Sequence, residues 1–262
     1  MHTEEQTETS VFKATSALRY TSVEEQSSYS ELFLGGIYDV SGVLQLGVQV
    51  PFVSTSVAST RATGLGNVVP FINVSLLPSP TEWTLAAGLQ LELPTVTSEA
   101  LGDGHFLILP TLQGGWHPGS GILMTTIGLG QVLDNNHTHG PSESHTTETH
   151  DHHEHAHEDD SSNHHDNQAI PSIVNPHASS ELLVRTDIGY RWTFSDTHLR
   201  VTLRLDGIEN LTTGGETTVI QSGPVIGLNQ SKLSTEVYML APVTEAQRYR
   251  LRAGIRVRLS IP

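Results

Sequence analysis

From Tyr249 to Ile261 every second residue is apolar, and between them stand Arg250, Arg252, Gly254, Arg256, Arg258 and Ser260. With Arg248 in front, five arginines share one parity. Side chains of an extended chain alternate between two faces, so this segment reads as a strand with one apolar and one strongly cationic face. Unpaired charge is costly in a dry core, which leaves water and opposing carboxylates as the surroundings of the arginine face. Such a strand must separate an apolar medium from a polar one.

The same alternation recurs. Leu44, Leu46, Val48, Val50 and Phe52 interleave with Gln45, Gly47 and Gln49, and Leu199, Val201, Leu203 and Leu205 interleave with Arg200, Thr202, Arg204 and Asp206. Helical periodicity is nearly absent. Turns placed at the Gly, Pro, Asn and Ser clusters give about twelve strands, over 10–22, 28–39, 42–53, 66–77, 82–94, 105–117, 121–133, 180–194, 198–207, 217–228, 233–242 and 248–261. Many reach 10 to 13 residues. Globular strands cluster near ~5–6 residues, whereas membrane strands need ~9–11. The connections alternate between short ones, such as Val40-Ser41 and Ser195-Asp196-Thr197, and longer ones over 54–65, 95–104, 134–179 and 208–216.

The expected fold is therefore all-β. It is a single transmembrane, antiparallel, up-and-down barrel spanning 1–262, with short periplasmic turns and long extracellular loops. With odd strands rising from the periplasm, Tyr38, Trp83, Trp116 and Trp192 all fall at the periplasmic interface, where an aromatic girdle belongs. The opposite parity supplies a polar lumen. Arg185, Arg191, Arg200, Arg204, Arg248, Arg250, Arg252, Arg256 and Arg258 are expected to face inward with Glu31, Asp39, Glu92, Asp187 and Asp206. A soluble antiparallel sheet with one solvated face is the competing expectation. No run is long and apolar enough for a spanning helix, which needs ~18 residues or more. Met1-His2-Thr3-Glu4-Glu5 lacks the basic and apolar regions of an export signal. We accordingly expect a mature form from which the signal has been removed, residing in the bacterial outer membrane with its lipid bilayer as partner.

Charge is distributed very unevenly. The chain carries 13 basic and 28 acidic residues, a formal −15, which disfavours a phosphate-tracking nucleic-acid surface. Cysteine is absent, so disulfides and thiolate metal sites are excluded. No Lys or Arg occurs between Arg61 and Arg185. Inside that gap, Asp134 to Asp166 holds nine carboxylates and ten of the fifteen histidines. This composition cannot form a packed core, and the tract is expected to lie in an extracellular loop, 134–179, inserted between the seventh and eighth strands.

Its histidines, His137, His139, His145, His150, His152, His153, His155, His157, His164 and His165, are candidate ligands for a divalent transition metal. Zinc is the first expectation, with copper or nickel next, because neutral imidazole suits all three and the carboxylates add oxygen donors. A solvated polar loop with incidental metal affinity is the plainer alternative. His153-Glu154-His155-Ala156-His157 formally matches the zinc-protease pattern H-E-x-x-H. That motif needs a buried helix, and a tract this rich in His and Glu generates it by chance, so no enzyme activity is expected.

Leu89-Gln90-Leu91-Glu92-Leu93-Pro94-Thr95, followed by Leu101-Gly102-Asp103-Gly104 and preceded by Gly64-Leu65-Gly66-Asn67, resembles the outer-membrane family labelled "MetA-pathway of phenol degradation". The resemblance is best over 64–104, and Val96 stands where that family has Gly after Pro-Thr. It implies a transporter-like barrel. The expectation that follows is a barrel passing or binding small anionic or apolar solutes, with the His-rich loop capturing metal. A closed structural barrel that displays this loop for metal binding or partner docking is the alternative.

Overall fold

The computed structural model describes residues 11–24, 27–57, 60–77, 82–102, 104–133, 180–211, 218–244 and 249–261. These form thirteen strands: β1 Val11–Glu24, β2 Ser27–Val40, β3 Leu44–Val57, β4 Thr60–Leu65, β5 Val69–Ser75, β6 Trp83–Glu92, β7 Leu107–Trp116, β8 Gly121–Val132, β9 Ser180–Phe194, β10 Thr197–Asn210, β11 Val219–Asn229, β12 Leu233–Pro242 and β13 Leu251–Ile261. Every pairing is antiparallel between neighbours, β1 pairs with β13, and β2 also pairs with β3, so the sheet closes on itself. Strands β4 and β5 lie end to end along the same edge of β3. The barrel therefore has twelve staves and closes through β1–β13 and β2–β3, leaving β4, paired only with β3, as a short edge at the long-loop end.

Neighbouring residues show which side is which. On β10, Leu203 is 53% exposed and the next residue, Arg204, only 7%. Ile188 and Asp187 on β9 stand in the same relation. Large apolar side chains are exposed on every stave except the one made of β4 and β5. Apolar patches on soluble monomers are small and local, whereas this belt extends over eleven of the twelve staves and the charged residues are inside. That arrangement is stable only with lipid around the belt, which removes the soluble-sheet alternative.

At one rim the belt ends in aromatics. Trp83 and Trp116 are directly opposite across the β6–β7 ladder and stack at 5.6 Å. Tyr190 and Trp192 lie side by side on β9 at 6.2 Å, and Phe12, Tyr38 and Phe194 are exposed at the same level. This is also the rim of the short turns. The β2–β3 turn, for example, places Ser41 and Gly42 at consecutive positive φ of 57° and 68°, the backbone a tight hairpin needs.

Three details differ from the sequence expectation. The connection expected over 54–65 is instead the β3–β4 hairpin, which continues the ladder from Phe52↔Leu65 to Val57↔Thr60. Where that hairpin meets β5, Gly66, Asn67 and Val68 face only Val50 and Pro51, a one-residue bulge that turns Asn67 inward. Tyr249, grouped by alternation with the outward residues, is almost fully buried inside, because β13 begins only at Leu251 and the alternation does not extend ahead of it. Arg250 likewise precedes the strand and is exposed at the rim rather than standing in the lumen ladder.

Candidate functional site in the lumen

Inward-facing charges meet in pairs because register places them directly opposite. Arg19 of β1 faces Glu31 of β2, Arg185 of β9 faces Asp206 of β10, and Arg204 of β10 faces Asp187 of β9. All three are two-point contacts between a guanidinium fork and a carboxylate. Arg185 donates to both Asp206 oxygens at 2.7 and 2.9 Å, and Arg204 to both Asp187 oxygens at 2.9 and 3.2 Å. Arg19 donates Nη2 to Glu31 at 2.6 Å and its Nε to the other oxygen. Geometry of this kind gives the strongest ion pairs and fixes the side chains in place.

Glu236 of β12 is a second junction. It accepts from Arg200 and, at 3.4 Å, from Arg204, both on β10, two staves away. The intervening strand allows this. Gly223 and Gly227 of β11 sit directly opposite Arg204 and Arg200, and a Cβ on Gly227 would lie 3.2 Å from the Arg200 Nε. The absence of a side chain at Gly227 leaves a trough through which Arg200 crosses, and at Gly223 it lets the β12 backbone approach closely at Met239. Lower on the wall, Lys13 donates to Asp39 at 2.7 Å, and Gln45 donates to the same carboxylate at 3.0 Å.

The facing wall, β3 to β8, carries amides and hydroxyls instead: Gln45, Asn73, Gln90, Thr111, Gln113 and Thr126. Two cavities run down the lumen between the walls. The one nearer the long connections, about 310 Å³, is bounded by Arg19, Arg185, Arg252, Asp206, Glu181 and Tyr249 among others. The one nearer the short turns, about 530 Å³, is bounded by Arg185, Arg200, Arg204, Arg256, Arg258, Asp187, Glu236 and the amide wall. Gln90, Thr111, Thr126 and Arg185 border both, so the two cavities adjoin along the lumen.

At the long-loop end, the connection after β6 folds inward. Leu93 N–H donates to Val68 O, Thr95 Oγ1 accepts from Val68 N–H and donates to Gly66 O, and Thr97 N–H donates to Leu65 O. Asn67 completes the lock by donating to Glu92 at 2.8 Å and accepting from Thr95 N–H. So tethered, the 3-10 turn Glu99–Leu101 inserts Leu101, 1% exposed, among the inward residues Tyr29, Val53 and Tyr249. The Leu-Pro-Thr stretch is thus the clamp of an inward-folded loop.

Of the charges singled out by sequence, Arg185 pairs with Asp206, while Arg200, Arg204 and Asp187 join in a second group through Glu236. Glu31 and Asp39 pair with lysine or arginine on β1, and Glu92 with Asn67. Arg252 lies over the Tyr249 ring at 4.2 Å, and Arg191 is exposed near the short-turn rim. Arg248 and all ten candidate metal histidines, with the 134–179 segment that links β8 to β9, lie outside the described residues. Among the described residues no group of three or more His, Asp or Glu is placed to hold a metal. His105 and His117 stand just outside the two ends of β7. Burial and the nearby Arg191 guanidinium hold the His117 imidazolium below its ordinary titration range. Sequence reasoning missed Lys13, Arg19, Glu236 and Leu101. Only knowledge of which residue faces which across the ladder singles them out.

An outer membrane channel from Pseudomonas putida F1 superimposes with a TM-score of 0.64 at 11% identity, with the whole of each chain covered. The fold is that of an outer-membrane β-barrel. The beta domain of a Bordetella autotransporter is similar more loosely, with a TM-score of 0.50 at 9% identity over 96% of this chain and 99% of that one. At such identities the likeness is one of fold, and the apolar belt is what lodges that fold in a bilayer. No family model matches the chain, and no curated protein matches its sequence.

Proposed function

We propose that this barrel passes small water-soluble solutes across the outer membrane, and that the histidine-rich segment between β8 and β9 captures divalent transition metal, zinc first, at its extracellular side. The observation that carries the first part is the pair of adjoining cavities inside the lumen, set between an ion-paired wall and one lined by amides. The resemblance of 64–104 to the "MetA-pathway of phenol degradation" barrels supports the same reading. The metal part rests on the ten histidines among nine carboxylates, whose neutral imidazoles coordinate only above their titration near ~6.5.

Single-channel conductance of the purified chain in planar bilayers, with and without zinc, tests the reading. No conductance under any condition would sink it. Leu101, packed into the long-loop mouth, favours a second reading, a closed barrel that displays a metal-binding or docking loop. Deleting 137–165 separates the two. Zinc binding by calorimetry is lost in either case, but ion conductance survives only if the barrel is itself the conduit.

A further inference from the structure

We propose that the lumen half nearer the short turns holds a binding site for a small hydroxylated carboxylate, whose carboxylate is received by Arg256 and Arg258 and whose hydroxyls meet Asn73, Gln90 and Gln113. The proposal rests on the channel reading above and names the solute class that channel would select.

The first argument is the distribution of ion pairs. Five guanidinium groups line the 530 Å³ cavity, against the carboxylates of Asp187 and Glu236 alone. Arg185, Arg200 and Arg204 are paired with Asp206, Asp187 and Glu236. Among the described residues, Arg256 and Arg258 make no ion pair or hydrogen bond to a carboxylate at contact distance; Arg256 stands opposite Glu236, but that carboxylate is already bonded by Arg200 and Arg204. The Nε atoms of Arg258 and Arg200 are buried without a hydrogen-bond partner. Positive charge left over inside a closed wall attracts an anion, and a guanidinium fork matches the two oxygens of a carboxylate.

The second argument is the opposite wall. The Asn73, Gln90 and Gln113 side chains make no hydrogen bond among the described residues, and all three face the same cavity. A neutral amide both donates and accepts, which suits hydroxyl groups and does not repel an anion. An alkyl chain laid on this wall would strip water from the amides and return nothing, a costly exchange. The cavity volume also falls within the ~300–1,000 Å³ of small-molecule sites. Carboxylate at one end and hydroxyls at the other is the chemistry that satisfies both walls.

The full chain in planar bilayers tests this, with gluconate, hexanoate and mannitol as probes of equal concentration. Gluconate is expected to block the chloride current, hexanoate to block it more weakly, and mannitol not at all. R256Q/R258Q should weaken the gluconate block by about tenfold or more while ion conductance persists. R256K/R258K keeps the charge without the fork, so it should retain anion preference yet lose most of the gluconate block. It carries the test if the glutamine pair fails to fold, as judged by heat-modifiable gel mobility. Asn73→Leu/Gln90→Leu should erase the preference for gluconate over hexanoate. A conducting wild type that gluconate blocks no better than hexanoate overturns the proposal and leaves the channel reading intact. If the wild type does not conduct, the channel reading fails, and calorimetric titration of the purified barrel with gluconate decides the site. Heat that vanishes in R256Q/R258Q supports it, and no heat in the wild type overturns it.

Discussion

Replacing Leu101 with alanine removes the apolar anchor by which the loop after β6 inserts into the lumen, while leaving its hydrogen bonds through Thr95 and Thr97 in place. The side chain is essentially fully buried against Tyr29, Val53 and Tyr249, with Val23 and Ala62 packed alongside. Leu→Ala in a closed core costs ~2–5 kcal/mol, the larger values where neighbours cannot collapse into the gap. This cluster is small and borders the lumen cavity through Tyr249, so the lower part of the range applies, ~2–3 kcal/mol. At ~1.4 kcal/mol per tenfold, the ratio of docked to undocked loop falls by about 30- to 140-fold. The strand ladders are untouched, so barrel stability should barely change. Single-channel recordings should then show a larger-conductance state, rare in the wild type and frequent in Leu101→Ala. Limited proteolysis of the loop, which follows the open population when opening is fast, should accelerate by a similar factor. A folded variant with wild-type conductance levels, dwell times and protease resistance would refute the reasoning, because the loop would then be held without its buried leucine.

Three further outcomes follow from the same geometry. Arg204→Met strands Asp187 while Glu236 keeps Arg200, and should cost ~3 kcal/mol in denaturant titrations of the vesicle-inserted barrel; adding Asp187→Leu should recover part of that loss. Trp83→Ala and Trp116→Ala should each destabilise the barrel, with a coupling of ~0.5–1.5 kcal/mol in the double-mutant cycle from their stacking; zero coupling would mean they act only as separate interface anchors. His117, held below the ordinary imidazole range by burial and Arg191, binds its proton less readily folded than unfolded. Its contribution to stability is therefore intact above pH ~6.5 and declines as the pH falls through the folded titration. An NMR titration midpoint below ~6.5 that rises in Arg191→Gln would agree, and an unmoved midpoint would not.

The network at Glu236 offers a physical reason for the composition of β11. Glycines at 223 and 227 weaken a strand in isolation, but here Gly227 lets Arg200 reach a carboxylate two staves away and Gly223 admits the β12 backbone at Met239. The same economy of side chains recurs at the clamp, where the bulge at Gly66–Val68 frees Asn67 to bond both Glu92 and Thr95.

Alternation, strand length and loop spacing in the sequence pointed to a membrane barrel of about twelve staves, and to the polar face of most of them; the closed sheet with its apolar outside removed the soluble alternative and added β4. Period two is a local property, and a segment with arginines repeated on one parity, three of them within β13, admits few environments. The first strand was harder to read because Ala14 and Ser16 occupy outward positions and blur the alternation, which hid Arg19. Only the closed structure decided which charges meet. The pairs Arg19–Glu31 and Arg204–Asp187, and the reach to Glu236, depend on register between strands, which no single strand encodes. The inward fold of the 93–106 connection was equally invisible, since the apolar cluster that receives Leu101 gathers Tyr29, Val53 and Tyr249 from opposite parts of the sequence. The stretch without lysine or arginine from Arg61 to Arg185 was plain in the sequence. That it becomes the amide wall facing Arg256 and Arg258 follows only once the sheet has closed and set those strands across the lumen from each other.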